Sequence, residues 1–279
     1  MFKKKVAIPD GFIHIKTNNI IKKPKIIGLM TIRNESLIID DSLDEMAKIV
    51  DSIIVIDDDS TDNTLAHLFK HPKVTDVVLN KKWDSGENRG YTEGLFKSII
   101  LNIGKQYKPK WFLLLDADER IENPKSVRRY MLDSIKDESV QNIEFKLFDA
   151  YMTKNDCKPY TTGSLFNFRK KFGIERREIV MAWKDDKSIY YDPKGMLRVP
   201  LGIDLNRKAK KDFYIQHYGK CLSVEHWEET CDYYIEHYPM FSEKWKQRKG
   251  KGVHGTKSDF GTKLMTWKEV KKDGGVLIQ

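Results

Sequence analysis

The sequence lacks the features that mark an exported, membrane-spanning or zinc-binding protein. Its three cysteines are odd in number and show neither CxxC nor zinc-ligand spacing, so we expect buried free thiols. The longest apolar runs, such as Ile53–Ile56 and Trp111–Leu115, are far too short to cross a bilayer. No apolar stretch of signal-peptide length follows the basic N-terminus. We therefore expect a cytoplasmic protein.

Acidic residues are outnumbered, most strongly near the C-terminus. The net charge is +9 at pH 7, and residues 241–279 contain ten Lys or Arg against four Asp or Glu. Because this segment is also rich in glycine, we expect a basic, flexible arm or lid. A positive arm suits a phosphate-bearing substrate, an anionic membrane surface or nucleic acid. Charge alone does not choose among the three.

Short apolar segments alternate with helical ones in the first half of the chain. The patterns predict strands over residues 25–31, 52–57, 74–79 and 111–115, and helices over 37–49, 64–69, 90–103 and 124–135. Such alternation indicates an α/β fold with a mostly parallel, Rossmann-like sheet covered by helices. After about residue 136 the pattern changes to longer strands over 142–148 and 164–172, a strand over 213–218 and a helix over 223–238. This change predicts a mixed extension of the same domain.

Two aspartates directly follow the predicted strand over 111–115. Ligands in open α/β sheets bind beyond the carboxyl ends of the strands. At a turn there, Asp116 and Asp118 could both bring oxygens to one hard cation, Mn²⁺ or Mg²⁺. Such an ion would neutralise charge on a departing diphosphate. The alternative is a solvated acidic turn that caps the next helix.

Polar clusters also follow the first two strands of the alternating region. Asp57–Asp62 holds acids and hydroxyls that could accept hydrogen bonds from a nucleobase and a ribose, although Asp62 could equally be a helix cap. Thr31–Ser36 includes Arg33, whose guanidinium could hold a phosphate or stack on a base. A further loop over 83–90 contains Arg89, which could reach a diphosphate or be simply solvated.

These motifs together resemble the family 2 glycosyltransferases. The matching segments are Thr31-Ile-Arg-Asn-Glu35, Val55-Ile-Asp-Asp-Asp-Ser-Thr-Asp-Asn-Thr64 and Leu115-Asp-Ala-Asp-Glu119, in the family's order and rough spacing. The resemblance covers residues 25–122 well and the rest loosely. Two departures are Asp59 and Asn63, which replace glycines usual in the family.

The resemblance implies a GT-A fold and a metal-dependent, hexosyltransferase-type enzyme. It would move a sugar from a nucleotide-diphosphate sugar to a glycan, lipid-linked or other hydroxyl acceptor, with inversion, as in polysaccharide biosynthesis. Residues 1–240 would form the GT-A domain, with a donor half over 25–122 and an acceptor half over 123–240. Thr31 and Asp58 would contact the base, Arg33 and Glu35 would line its pocket, and Asp116 and Asp118 would meet the ribose and the metal-bound diphosphate.

A third metal ligand and a catalytic base are also expected. Many relatives carry a late histidine that completes the metal shell, and His217, which ends a predicted strand, resembles it; His254 in a glycine-flanked loop is the rival. Inversion requires a carboxylate that accepts the proton of the acceptor hydroxyl. Asp149 is the first candidate because it follows a long strand, and Asp185 is the second.

Other classes of function remain open at this stage. A nucleotidyltransferase that makes an activated sugar uses a similar sheet, but it usually has a Gly-rich loop after the first strand, and Thr31–Ser36 contains no glycine. A nucleic-acid-binding protein would suit the basic tail with its tryptophans, but the acid-rich strand ends would repel phosphates without a metal. A degenerate binding domain is disfavoured by the intact Asp116 and Asp118 pair.

Overall fold

A computed structural model describes residues 8–81 and 92–278 of the chain. Arg89, one of the predicted diphosphate-binding residues, lies outside the described residues. The strands are β1 (Phe12–Lys16), β2 (Ile26–Ile32), β3 (Ser52–Asp58), β4 (Val74–Asn80), β5 (Trp111–Leu114), β6 (Glu119–Ile121), β7 (Asn142–Thr153), β8 (Lys171–Lys184), β9 (Phe213–His217), β10 (Val253–His254) and β11 (Val276–Leu277). The helices are α1 (Ile39–Ala47), α2 (Thr64–Lys70), α3 (Glu93–Lys105), α4 (Pro124–Asp133), α5 (Val224–His237), α6 (Ser242–Arg248) and α7 (Trp267–Asp273).

The predicted α/β alternation is confirmed. Strands β4, β3, β2 and β5 lie side by side in that order and run parallel. Their side chains alternate between two buried clusters, so that Ile26 and Met30 of β2 face one side of the sheet while Ile27 and Leu29 face the other. Burial on both faces explains why these strands read as continuous apolar runs. Their carboxyl ends meet at one edge of the sheet.

The second half of the chain extends the same sheet. The order continues from β5 through β8, β7 and β9 to β6, and β1 pairs antiparallel with β4 at the far edge. Strand β8 is antiparallel to both β5 and β7, whereas β9 is parallel to β7 and antiparallel to β6. This mixed region is the extension that the change of pattern predicted.

The strand predicted over residues 164–172 is wrong. Residues 164–170 form turns, in which Asn167 has a positive φ of 63°, and β8 begins only at Lys171. The apolar side chains of Leu165, Phe166 and Phe168 instead belong to a loop, in which Leu165 is fully buried. Strand β8 therefore continues through the Met181-Ala-Trp segment to Lys184. Asp185 consequently lies beside the amino end of β5, and not at the edge where the carboxyl ends of the parallel strands meet.

Residues 241–278 pack against the sheet, which differs from the flexible arm expected from their composition. Strand β10 pairs with β7 and β11 pairs with β8, both in parallel. Helix α7 begins with a capping box between Thr266 and Glu269, and its Val270 is fully buried. A sparse set of apolar residues is thus enough to anchor a lysine-rich segment. In the described part of the chain, no helix combines the length and the apolar character that a membrane crossing requires.

Candidate active site

The loops that follow β2 and β3 are fastened to each other by side-chain hydrogen bonds. Arg33 Nη1 donates to the carbonyl oxygens of Asp58 (2.5 Å) and Asp59 (2.7 Å). Asn34 accepts from the N–H of Thr61 at 2.8 Å through its side-chain oxygen. The first two sequence motifs therefore form one polar surface. Arg33 holds it together through its hydrogen bonds to the Asp58 and Asp59 carbonyl oxygens.

The backbone at Asp59 explains the glycine that the resembled family has at this position. Asp59 adopts a φ of 56°, in the left-handed region that glycine occupies without strain and that Asp tolerates better than most residues. Asn63, the other departure, has a φ of −82° and therefore does not require glycine. Of the two departures, only Asp59 therefore occupies a backbone conformation that favours glycine.

The acids of the second motif have separate partners. Asp58 is 7% exposed and accepts from Asn80 Nδ2 at 2.7 Å, where the carboxyl ends of β3 and β4 lie side by side. Asp57 accepts from the Ser60 N–H at 2.9 Å, and burial raises the pKa of its carboxyl group. Asp62 accepts from the N–H groups of Ser36 and Thr64, so it joins the two loops as well as the start of α2.

The turn after β5 is held by a half-buried arginine that the sequence did not single out. Arg198 Nη2 donates to both carboxylate oxygens of Glu119 (2.7 and 2.6 Å), and its Nη1 lies 3.3 Å from Asp116 Oδ2. Glu119 in turn accepts from the Asp116 N–H at 3.0 Å. The Nε atom of Arg198 is buried and has no hydrogen-bond partner among the described residues. Arg198 therefore fixes the acidic turn and opposes its negative charge.

His217 lies between two of the predicted site carboxylates. Its Nε2 is 3.2 Å from Asp118 Oδ2, and its Nδ1 is 2.6 Å from Asp149 Oδ1. The pairing of β9 with β6 on one side and β7 on the other creates this arrangement. Burial alone would lower the pKa of His217, but Asp118 and then Asp149 raise it to about 10. Burial alone would raise the pKa of Asp118, but His217 and Arg198 lower it to about 2.

Glu35 is the third acid of this centre. Its backbone N–H donates to Thr64 Oγ1 at 2.8 Å, which ties it to the start of α2. Burial, followed by the charges of Asp118 and Asp116, raises the pKa of its carboxyl group well above the usual range. Glu35 therefore faces the acidic turn.

Residues 8–81 and 92–278 contain no preformed set of three His, Cys, Asp or Glu side chains around a common point for an ion. The predicted ligands Asp116, Asp118 and His217 are drawn apart because Asp116 turns toward Arg198 while Asp118 pairs with His217. Their chemistry nevertheless suits a divalent cation. A Cβ at Gly219 would lie only 2.4 Å from Asp118 Oδ2 and 3.2 Å from His217 Nε2, so the absence of a side chain keeps the approach to this pair open.

The two base candidates lie at different places in the sheet. Asp149 borders the centre, but it also pairs with Lys220 Nζ at 2.7 Å and with Arg177, and these cations outweigh burial and hold its pKa well below the usual range. Asp185 follows the end of β8 and donates its N–H to the Lys110 carbonyl, at the amino end of β5. That position lies roughly 15–20 Å along the strand from Asp116. Asp185 therefore cannot serve this centre, and that prediction is wrong.

His254, the rival metal ligand, belongs to a neighbouring cluster. Its Nε2 lies 2.9 Å from Asp259 Oδ1, and its ring packs edge-on against Tyr151 at 4.7 Å. Lys220 connects this cluster to the centre because its Nζ contacts both Asp149 and, at 3.1 Å, Asp259. His254 thus pairs with Asp259, whereas His217 pairs with Asp118.

Sequence reasoning missed Arg198, Gly219 and Lys220. Arg198 comes from an irregular loop that carries no motif. Its partner Glu119, the acid directly after Asp118, gave the only indication in the sequence that a cation binds this turn. Gly219 and Lys220 lie two and three residues after the histidine that the resemblance identified. A search of the residues next to His217 could therefore have found them.

No protein-family model matches the chain. Two curated proteins, uncharacterized protein Rv3786c of Mycobacterium tuberculosis and uncharacterized protein Mb3815c of Mycobacterium bovis, are each 29% identical over 110 residues. The match covers 37% of this chain but only 26% of each relative, so it spans about a quarter of their length.

Several solved structures show a weak similarity in fold. TarS residues 1–349 of S. aureus is 15% identical with a TM-score of 0.36, covering 80% of this chain and 68% of that one. The mannosyltransferase PcManGT of Pyrobaculum calidifontis, in complex with GDP-Man and Mn²⁺, is 16% identical with a TM-score of 0.31 and coverage of 47% and 36%. Glucosyl-3-phosphoglycerate synthase of Mycobacterium tuberculosis, in complex with Mn²⁺, UDP and glucosyl-3-phosphoglycerate, is 20% identical with a TM-score of 0.30 and coverage of 45% and 44%. These TM-scores are too low to support a conclusion about function.

Proposed function

We propose that the chain is a metal-dependent glycosyltransferase of the GT-A type. It would transfer a hexose from a nucleotide-diphosphate sugar to a hydroxyl acceptor, with inversion. The observation that carries this proposal is the convergence of three strand-end motifs at one edge of the sheet, where Asp118 and His217 lie 3.2 Å apart. We also propose that the protein acts in the cytoplasm, where the basic surface of residues 241–278 allows peripheral contact with a membrane.

The donor would extend from Asp58, at the end of β3, to the turn after β5. Asp58 is buried beside Asn80, so its carboxylate could accept the N–H of a base or a ribose hydroxyl. Thr31, at the end of β2 and in register with Ile56, would border the base. Arg33, which binds the Asp58 carbonyl, and Glu35 would line the base site, as the resemblance implies.

Asp116, Asp118 and His217 would hold the divalent cation, and Gly219 would leave room for it. When bound, Mn²⁺ or Mg²⁺ supplies positive charge that stabilises the leaving diphosphate. His217 must give up its proton to bind a metal. Arg198 is released from Asp116 if that carboxylate turns toward the ion, and its guanidinium can then face the diphosphate.

We assign Asp149 to the orientation of His217. A carboxylate with three cationic neighbours and a strongly lowered pKa accepts a proton poorly, whereas it is well suited to fix a histidine through Nδ1. The proton acceptor for the acceptor hydroxyl is therefore a different group from either of the two carboxylates predicted for it.

The proposal is tested with a panel of nucleotide-diphosphate sugars in the presence of Mn²⁺. We expect one donor to raise the melting temperature and to be turned over to the nucleoside diphosphate when an acceptor is added. Formation of pyrophosphate from a nucleoside triphosphate and a sugar 1-phosphate would identify a nucleotidyltransferase instead. The absence of both stabilisation and turnover across the panel would contradict a donor site.

A further inference from the structure

The loop that carries Arg198 follows a fixed path between β8 and β9. Residues 190–201, here called the Arg198 loop, are closed by reciprocal backbone hydrogen bonds between Tyr190 and Leu201 at 3.1 and 2.8 Å. Inside the loop, the hydroxyl of the buried Tyr191 donates to the Arg198 carbonyl oxygen at 2.9 Å. The backbone of Arg198 is therefore fastened to a residue of the core.

Helix α3 also contacts the Arg198 loop closely. A Cβ at Gly94, in the first turn of α3, would lie 2.3 Å from the carbonyl oxygens of both Asp192 and Gly195. Glycine therefore permits a distance between helix and loop that no other residue would allow without a shift of the backbone. Because the loop is held in this way, we expect changes at Arg198 to occur in its side chain.

The two carboxylates that Arg198 contacts are held to different degrees. The side chain of Glu119 is fully buried and accepts from Nη2 of Arg198 through both of its oxygens. The side chain of Asp116 is 43% exposed, and its Oδ2 lies 3.3 Å from Nη1. The buried Nε of Arg198 donates to no described residue. The guanidinium is thus anchored on Glu119, while its contact with Asp116 is looser.

This position makes Arg198 a competitor of any metal ion at Asp116. A guanidinium and a divalent cation beside one carboxylate repel each other at short distance. A buried N–H without an acceptor also costs free energy comparable to that of a lost hydrogen bond. A diphosphate that shares the ion with Asp116 would relieve both costs, because it supplies negative charge and acceptor oxygens for Nη1 and Nε.

We propose that Arg198 is a tethered counter-cation that couples the metal site to the diphosphate site. In the absence of ligands it neutralises Asp116 and Glu119. When Asp116 turns to the metal ion, Arg198 stays on Glu119 and directs Nη1 and Nε to the diphosphate. This inference rests on the proposed glycosyltransferase function. It makes Arg198 an opponent of metal binding and a partner of nucleotide binding.

The test measures these two opposite effects in Arg198→Met. Calorimetry gives the affinity for Mn²⁺ alone, and then the affinity for UDP and for GDP at saturating Mn²⁺. We expect Mn²⁺ to bind the variant about tenfold more tightly, because a competing positive charge is gone. We expect the nucleotide that binds the wild type to bind the variant about tenfold more weakly, because charge-assisted hydrogen bonds are lost. A merely structural role would weaken both.

Two controls accompany this variant. Arg128→Met removes another half-buried arginine, which pairs with Asp51 at 2.7 Å before the start of β3, and should change neither affinity. Arg198→Met leaves the buried Glu119 unpaired, which can unfold a protein. The double variant Arg198→Met/Glu119→Gln is therefore compared with Glu119→Gln alone, and the melting temperature is recorded for every protein.

The outcomes separate this inference from the proposed function. Weaker or unchanged Mn²⁺ binding in both Arg198 variants, or unchanged nucleotide affinity in both, would overturn the role of Arg198 and leave the metal centre intact. A wild type that does not bind Mn²⁺ would overturn the metal centre and this inference with it. None of these readouts requires turnover.

Discussion

His217 Nε2 lies 3.2 Å from Asp118 Oδ2, across the antiparallel pair formed by β9 and β6. Each group strongly perturbs the other: the pKa of His217 rises to about 10 and that of Asp118 falls to about 2. In the metal-free protein the two side chains therefore form an ion pair. A cation that binds both must replace the proton on His217, and this competition can be measured.

Mn²⁺ binding should release about one proton per ion at pH 7.5. A pKa of about 10 keeps His217 protonated at that pH, whereas metal coordination requires the neutral ring. The apparent affinity should accordingly rise as the pH increases toward 10, because the competing proton becomes scarcer. Calorimetry in buffers with different ionisation enthalpies measures the release. A proton count near zero would exclude His217 as a ligand.

Gly219→Ala should weaken Mn²⁺ binding and leave the fold intact. The added Cβ would lie 2.4 Å from Asp118 Oδ2, where the carboxylate must move away from the ion. Gly255→Ala is the matched control because a Cβ there meets nothing within 4 Å. Metal titration and melting temperature are measured for both. Unchanged metal affinity in Gly219→Ala would place the ion elsewhere.

Asp58→Asn should weaken nucleotide binding by about 1–3 kcal/mol, the usual cost of losing a partner at a buried polar site. The neighbouring Asp59→Asn is the control, because asparagine tolerates the left-handed backbone of that residue. The measurement is the dissociation constant of the cognate nucleoside diphosphate for the wild type and for each variant. If both variants bind as tightly as the wild type, the base pocket does not involve Asp58.

Trp267→Ala should destabilise the protein by about 2–4 kcal/mol, as expected for loss of a packed aromatic ring. Its ring centroid lies 5.0 Å from that of Phe172 and 5.9 Å from that of Phe148. Phe260→Ala in the same segment is the control, since Phe260 is 52% exposed. Urea denaturation measures both. A Trp267→Ala variant as stable as Phe260→Ala would show that the segment is only loosely attached.

The strand ends of the first half could be predicted from the sequence because local chemistry determines them. Continuous apolar runs predict β2, β3 and β5, because these strands are buried on both faces. The polar residues that follow each run then meet at one edge of the parallel sheet. Asp58, Asp116 and Asp118 were located in this way.

The acceptor side could not be predicted to the same extent because it depends on long-range pairing. Because β8 begins and ends later than predicted, Asp185 lies at the amino end of β5. The pairing of Asp149 with His217 depends on the alignment of β7 with β9, which are far apart in the sequence. The anchoring of residues 241–278 also depends on a few distant contacts, such as those of Trp267, that lysine-rich composition conceals.

The most direct test of the account is the metal dependence of nucleotide binding. Calorimetry is performed with UDP and with GDP, in Mn²⁺ and in EDTA, on the wild type and on Asp118→Asn. We expect one nucleotide to bind the wild type in Mn²⁺, with affinity reduced at least tenfold both in EDTA and in the variant, because bare carboxylates repel a diphosphate. Equal affinity with and without the metal would contradict the proposed centre at Asp116, Asp118 and His217.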